Sequence, residues 1–398
     1  MQTTGIKRHK CLRLVQVLLL AALRVGLPAL EAETTGNIAG VLQPFVDSHT
    51  LAGAVTLVST KDKVLCLEAV GYADVANRQP LKTDALFWIA SMSKPMTATA
   101  LMMLVDEGKV NVDDPVEKYL PQFQGQWLAA EQDKDHVLLK KPTRPIRVRD
   151  ILSHTSGLPF STRLERTGDA LKIDVLSLRE AVFSYCLTPL NTEPGTKYNY
   201  SNAGINTAGR IIEVVSGMPY EEFMDKRLFG PLGMKNTTLW PTGDQFKRLA
   251  KSYKPNADKT GLEETDISQL SYPLDDRKRG PSPAGGYFST ATDVGIFCRM
   301  ILNDGVYEGK RYLSEKSVRQ MTSSQTGDLP QGYGFGWSAD KKPGGAFGHG
   351  GAQSTNMQID PQRQLITVFM VQHAGYPGTE GSKILPAFMK AAENRISF

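Results

Sequence analysis

Ser91 and Lys94 stand three residues apart in the run Ser91-Met92-Ser93-Lys94. If the run opens a helix, the two side chains share one face of its first turn. A serine hydroxyl is a poor nucleophile until a base removes its proton. A lysine serves as that base where burial or a neighbouring charge brings its pKa down from about 10.4. The start of a helix also favours negative charge developing on the serine. The same four residues would equally suit an N-capping serine beside a solvated lysine.

Two further groups belong to the same kind of chemistry. Tyr200-Ser201-Asn202 places a phenol two residues before a carboxamide. A phenol of lowered pKa could share a proton with a lysine and later protonate a leaving group, while the amide orients the lysine or a substrate carbonyl. The bland alternative is a core aromatic beside an asparagine cap. His349-Gly350-Gly351 closes the glycine-rich run of residues 344–351 (GGAFGHGG). Glycines there let a strand edge approach a ligand closely, and His349 would add a donor or a switchable charge. Alone, this is also a glycine-rich loop with a satisfied histidine.

Taken together and in this order, the three groups resemble the serine β-lactamase and penicillin-binding-protein superfamily, with its pattern S-x-x-K, Y-x-N and K/H-T/S/G-G. The branch most similar holds class C β-lactamases, D-alanyl-D-alanine carboxypeptidases and family VIII carboxylesterases. Residues 88–95 (WIASMSKP), 112–121 (VDDPVEKYLP), 151–158 (ILSHTSGL), 194–204 (PGTKYNYSNAG) and 284–293 (AGGYFSTATD) add to the likeness, which runs from Ile38 to the C-terminus.

The resemblance implies an α/β (α+β) sandwich, an antiparallel sheet flanked by helices, with an inserted, mostly helical domain and the site between the two. It implies an acyl-enzyme on Ser91, with Lys94 and Tyr200 as a coupled base and acid. Asn202 would touch substrate and Lys94, and the strand of His349, Gly350 and Gly351 would edge the cleft. The backbone N–H groups of Ser91 and Ala352 would form the oxyanion hole. One departure matters: His349 and Gly350 stand where β-lactamases carry lysine and a hydroxyl residue that holds a carboxylate. Small uncharged esters are therefore the leading substrate. β-Lactams and D-amino-acid peptides remain alternatives, as does a penicillin-binding sensor or regulatory module without turnover.

Other machinery is not in evidence. The nucleophile elbow G-x-S-x-G is absent, and Gly280-Pro281-Ser282-Pro283-Ala284 departs from it in its last residue and its prolines. His154 suits a structural role, bonding the loop that frames the cleft; His49, His136 and His373 have no supporting context. There is no close metal-ligand cluster and no glycine-rich phosphate loop, so neither metal nor cofactor is implied. Cys66, Cys186 and Cys298 are widely spaced, show no zinc-ligand spacing, and read as buried free thiols.

The elements that must position these residues are legible in outline. Apolar runs at residues 54–58 and 64–70 predict one hairpin; those at 356–359 and 365–371 predict a second. Helices are expected at residues 36–48, 201–216 and 383–395, and after Ser91 through Val105, ending at Gly108. Residues 112–280 read as helical or irregular, with 161–174 and 241–276 as long segments. The expected division is a sandwich domain of residues 34–111 and 281–398 around a helical domain of residues 112–280.

Of the net charge of +5, residues 1–32 carry +4, leaving a nearly balanced body with no footprint for nucleic acid. Those residues join a basic start (Lys7, Arg8, Lys10) to the apolar run 14–23, too short to span a bilayer, and then to Ala29 and Ala32. They read as a signal peptide cleaved after Ala32, for a secreted or periplasmic protein with no membrane span once processed.

Overall fold

In the computed structural model, which describes residues 37–160 and 173–395, the first two apolar runs form a hairpin of β1 (Gly53–Ser59) and β2 (Val64–Asp74). The two-residue β3 (Gln79–Pro80) lies beyond β2. Four strands from the far end of the chain complete the sheet: β4 (Ser338–Ala339), β5 (Phe347–Gly350), β6 (Asn356–Asp360) and β7 (Leu365–Met370). The order is β4-β5-β6-β7-β1-β2-β3, antiparallel throughout. The two expected hairpins thus meet along β1 and β7, with Val55 opposite Met370 and Leu57 opposite Val368.

Seven helices bear on the site: α1 (Ile38–Asp47), α2 (Ser93–Asp106), α3 (Val148–Leu152), α4 (Leu178–Cys186), α5 (Asn202–Ser216), α6 (Ala291–Leu302) and α7 (Gly381–Glu393). β1 is buried along its whole length, because both faces of the sheet are covered. Its side chains alternate: Val55 and Leu57 enter the larger core, Ala54 and Val58 a second one. Ile38 and Leu42 of α1 and Ile384 and Phe388 of α7 close the second core. The larger core takes α2, α5 and α6. The result is an antiparallel sheet between helical layers, the architecture that the resemblance implied.

Helix α2 does more than present one apolar stripe. Every residue from Ser93 to Leu104 is buried, Lys94, Thr97 and Thr99 included. A helix covered all round is a central element, and it packs against α5. Helix α5 stops where its sequence says, with Gly217 in the left-handed conformation at φ 71°. It crosses close to α3: a Cβ on Gly204 would lie 2.7 Å from Ile151 O.

Residues 112–280 are not only helical or irregular, and that expectation is corrected. Leu128–Gln132 pairs with Val137–Lys140, and Ser252–Pro255 with Leu262–Thr265. Val137–Lys140 is exposed at every position, so no two-residue alternation marks it. Among the described residues the cysteines are free, Cys66 and Cys298 buried and Cys186 half-buried. None of the described helices is long and apolar enough to cross a membrane. The signal-peptide segment and Cys11 lie outside the described residues.

The close crossing at Gly204 yields a test. Gly204→Ala is expected to lower the urea unfolding midpoint, since overpacking costs about 1–3 kcal/mol. An unchanged midpoint would show that α3 and α5 separate freely.

Candidate active site

Ser91 sits in a 3₁₀ turn, Ala90–Met92, that leads into α2, one turn earlier than a helix N-terminus proper. The turn is tied down on both sides. Phe87–Trp88 pairs with Phe288–Ser289, Ile89 N–H donates to Tyr287 O at 2.9 Å, and the Trp88 indole donates to Gly285 O at 2.7 Å. Ser93 Oγ donates to Ala90 O at 2.6 Å and accepts from Tyr287 N at 3.3 Å. These bonds hold Ala90 at φ 45°, a left-handed conformation that costs a non-glycine residue about 1–2 kcal/mol. Such strain persists only where the surroundings over-determine the backbone.

Lys94 is completely buried. Its Nζ lies 2.9 Å from Ser91 Oγ and donates to Ala284 O at 2.8 Å. Neither partner is a carboxylate. Burial without a counter-charge holds the amine well below the usual lysine range. Ala284 is itself fixed: its N–H donates to Asn206 Oδ1 at 3.0 Å, and the preceding Pro283 O accepts from Thr97 Oγ1 at 2.8 Å. Asn206 Nδ2 in turn donates to Tyr185 OH at 2.9 Å.

Tyr200 is hydrogen-bonded to Ser91, and its ring centroid is 4.7 Å from Lys94 Nζ. Burial pushes its phenol up to about 12, with the bond to Ser91 acting the other way. The phenol of lowered pKa expected here is therefore corrected: burial shifts the phenol up and the Lys94 amine down, which favours the proton on Tyr200. Tyr200 is held from behind by His154, itself left-handed at φ 59°. His154 Nδ1 accepts from Ser201 N at 3.2 Å, His154 O accepts from Asn199 N at 2.8 Å, and the rings of residues 154 and 200 lie 4.4 Å apart. That is the structural role anticipated for His154.

The third group comes to the same place. Ser91, Lys94, Tyr200 and His349 converge: the Tyr200 and His349 rings are 6.2 Å apart. A Cβ on Gly351 would meet Thr355 Oγ1 at 2.1 Å and Ile89 O at 2.6 Å, so only glycine lets the end of β5 rest against the turn carrying Ser91. Gly350 and Ala352 beside it are exposed. Among the described residues, the N–H groups of Ser91 and Ala352 donate to no backbone carbonyl, which leaves them free for an oxyanion.

Two expectations change. His349 is not the switchable charge expected: its burial pushes the imidazole down to about 3. Nor does Asn202 reach Lys94; its Oδ1 is buried without a partner among the described residues, and Ala284 O takes the amine's second hydrogen bond. The sequence reading missed Ala284 O, Asn206 and Tyr333, whose hydroxyl lies 3.0 Å from His349 Nε2. Asn206 lies four residues after Asn202, a spacing that puts both on one face of α5 and could have flagged it.

A family model described as Beta-lactamase matches residues 38–385. The chain belongs to the beta-lactamase family. It is 32% identical over 377 residues to an uncharacterized protein of Mycobacterium tuberculosis, covering 85% of this chain and 90% of that one. It is 28% identical over 348 residues to a Salmonella typhimurium protein whose name proposes a D-alanyl-D-alanine carboxypeptidase, covering 80% and 78%. Among solved structures, the fold matches EstCE1, described as a hydrolase with promiscuous acyltransferase activity, at TM-score 0.72, 24% identity and 89% and 97% coverage. It matches simvastatin synthase from Aspergillus terreus at TM-score 0.73, 18% identity and the same coverage.

An uncharged buried lysine has a signature in stability. Because burial lowers the pKa of the folded amine, the unfolded chain binds the extra proton and stability rises with pH up to the ordinary lysine pKa of about 10.4. Lys94→Met is expected to be more stable than wild type at neutral pH, with the gap closing as pH rises toward that value. Denaturant titrations across that range check it; a gap independent of pH would mean that the folded amine is charged.

Proposed function

We propose that this beta-lactamase-family protein is a serine hydrolase that cleaves small uncharged esters through an acyl-enzyme on Ser91. The observation that carries the proposal is the buried Lys94 amine, without a carboxylate partner, 2.9 Å from Ser91 Oγ. A neutral amine there takes the hydroxyl proton as Oγ attacks the ester carbonyl. The N–H groups of Ser91 and Ala352 receive the oxyanion, each such donor being worth about 3 kcal/mol. Tyr200, kept protonated by its burial, gives its proton to the departing alkoxide and regains one from the Lys94 ammonium. Water then attacks the acyl group, its proton passing to the same amine, and Ser91 Oγ recovers a proton as it leaves.

The choice of ester over peptide or lactam rests on charge. A β-lactam or a D-Ala-D-Ala peptide brings a carboxylate, and the imidazole on β5 is neutral with both nitrogens engaged. Losing one charge-assisted contact weakens binding by roughly 1.5–3 kcal/mol. The relative from Salmonella typhimurium supports the carboxypeptidase alternative by its name. The basic start and apolar run of residues 1–32 support export; N-terminal sequencing of the processed protein should then begin at Glu33.

The decisive comparison is turnover of p-nitrophenyl acetate, a cephalosporin and a D-Ala-D-Ala peptide, with the ester expected to lead. Fluorophosphonate should label wild type and not Ser91→Ala. Lys94→Ala should cut kcat/KM for the ester by about 10²–10⁴-fold. Cephalosporin turnover above the ester would overturn the substrate assignment, and near-normal rates in Lys94→Ala would remove the base. A folded but unlabelled wild type would point to a binding module.

A further inference from the structure

Tyr200 is held between two loops. Residues 153–158 pass behind it through His154, whose carbonyl and Nδ1 accept from the N–H groups of Asn199 and Ser201. Residues 193–199 lead into it, and Gly195 N–H donates to Thr155 O at 2.7 Å, joining the two loops. Neither loop is helix or strand, so their spacing is set by what lies between and beneath them.

Arg144 occupies that place. Its guanidinium forms a fork with Asp150 of α3, Nη1 donating to Oδ2 at 2.6 Å and Nη2 to Oδ1 at 3.1 Å. Asp150 is buried. Its carboxylate also accepts from Arg147 N at 2.8 Å, and its carbonyl accepts from Thr155 N at 2.9 Å, at the start of the first loop. On the other side, a Cβ on Gly195 would lie 2.3 Å from Arg144 Nη2, so the second loop rests directly on the guanidinium. The preceding residue grips the same loop: Thr143 N–H donates to Glu193 Oε2 at 2.9 Å. A bidentate fork fixes direction as well as distance, which a lysine ammonium does not.

We propose that Arg144 is a positioning residue for Tyr200: wedged between Asp150 and Gly195, it sets the spacing of the two loops and so aims the phenol at the leaving group. The proposal rests on the reading of Tyr200 as the acid of the Ser91 site. The hydrogen bonds of Arg144 go to Asp150 and to Pro145 O, so replacing it displaces the acid and leaves Ser91 and its base in place.

The test uses the leaving group. p-Nitrophenolate departs as a stable anion and needs little help from an acid, whereas an alkoxide must be protonated as it leaves. kcat/KM is measured for p-nitrophenyl acetate and for benzyl acetate, which deliver the same acyl group, in wild type, Arg144→Lys and Arg144→Met/Asp150→Asn. The double variant leaves no carboxylate buried alone and serves if the single one does not fold. In each, the benzyl-to-nitrophenyl ratio is expected to fall about tenfold or more. A well-placed acid supplies about 10²–10⁴-fold, and displacing it forfeits part of that. A merely structural role lowers both esters together. Tyr200→Phe is the reference, and its ratio is expected to fall as well. A fall in Tyr200→Phe with an unchanged ratio in folded Arg144 variants overturns the positioning role and leaves the acid standing. Equal losses on both esters in Tyr200→Phe overturn the acid reading and the proposal with it.

Discussion

The site depends on a lysine amine kept inside the protein without a counter-charge. An isolated ammonium would be expensive in that environment, so burial lowers the pKa of the amine. Its remaining polar demand is small and is met by a backbone carbonyl and the Ser91 hydroxyl. A carboxylate in place of Ala284 O would hold the charged form, which could not act as the base proposed for Ser91. What matters about residue 284 is therefore where its carbonyl points. Thr97 from α2 and Asn206 from α5 fix the strap that carries it. Two helices packed in the core thus set the aim of one oxygen atom.

That arrangement explains why α2 is the buried axis of the larger core. A helix with one wet face would let water reach Lys94 and restore its ordinary basicity. Full burial from Ser93 to Leu104 removes that route, and the sheet behind it is rigid because β1 and β7 are covered on both faces. The strained turn at Ala90 belongs to the same design: it aims Ser91 Oγ back at Lys94, and its cost is met by the hydrogen bonds of Trp88, Ile89 and Ser93.

Much of this was legible in the sequence, and what was not follows a pattern. Ser91 and Lys94 announce themselves because their relation is local, one turn of chain. The paired hairpins are visible because Val55, Leu57, Ile366 and Val368 repeat with the period of a buried sheet. Tyr200 and His349 stand out only as part of an ordered set of motifs. Ala284 O carries no side-chain signal at all, since every residue owns a carbonyl. Tyr333 is joined to His349 by a loop whose geometry no periodicity encodes. Protonation states are the least legible: the same Tyr200 reads as a phenol of lowered pKa when imagined beside a charged lysine, and of raised pKa once its own burial is known. Val137–Lys140 escaped for a different reason, as an exposed strand that has no face to mark.

The neutrality of the site also constrains what it can bind. Ester cleavage begins from uncharged reactants and develops a single negative charge on the carbonyl oxygen. Backbone N–H dipoles suffice for that charge and need no reorganisation when it appears. In the proposed reaction Lys94 would become cationic only during the same step, so the pair of opposite charges would be created together and not buried alone. A substrate that arrives with its own carboxylate breaks this balance: it brings a charge into a pocket whose amine is neutral and whose imidazole is bonded at both nitrogens. The residue types on β5 and the burial of Lys94 therefore act in the same direction, and the ester selectivity proposed for the site would follow from how the amine is kept uncharged.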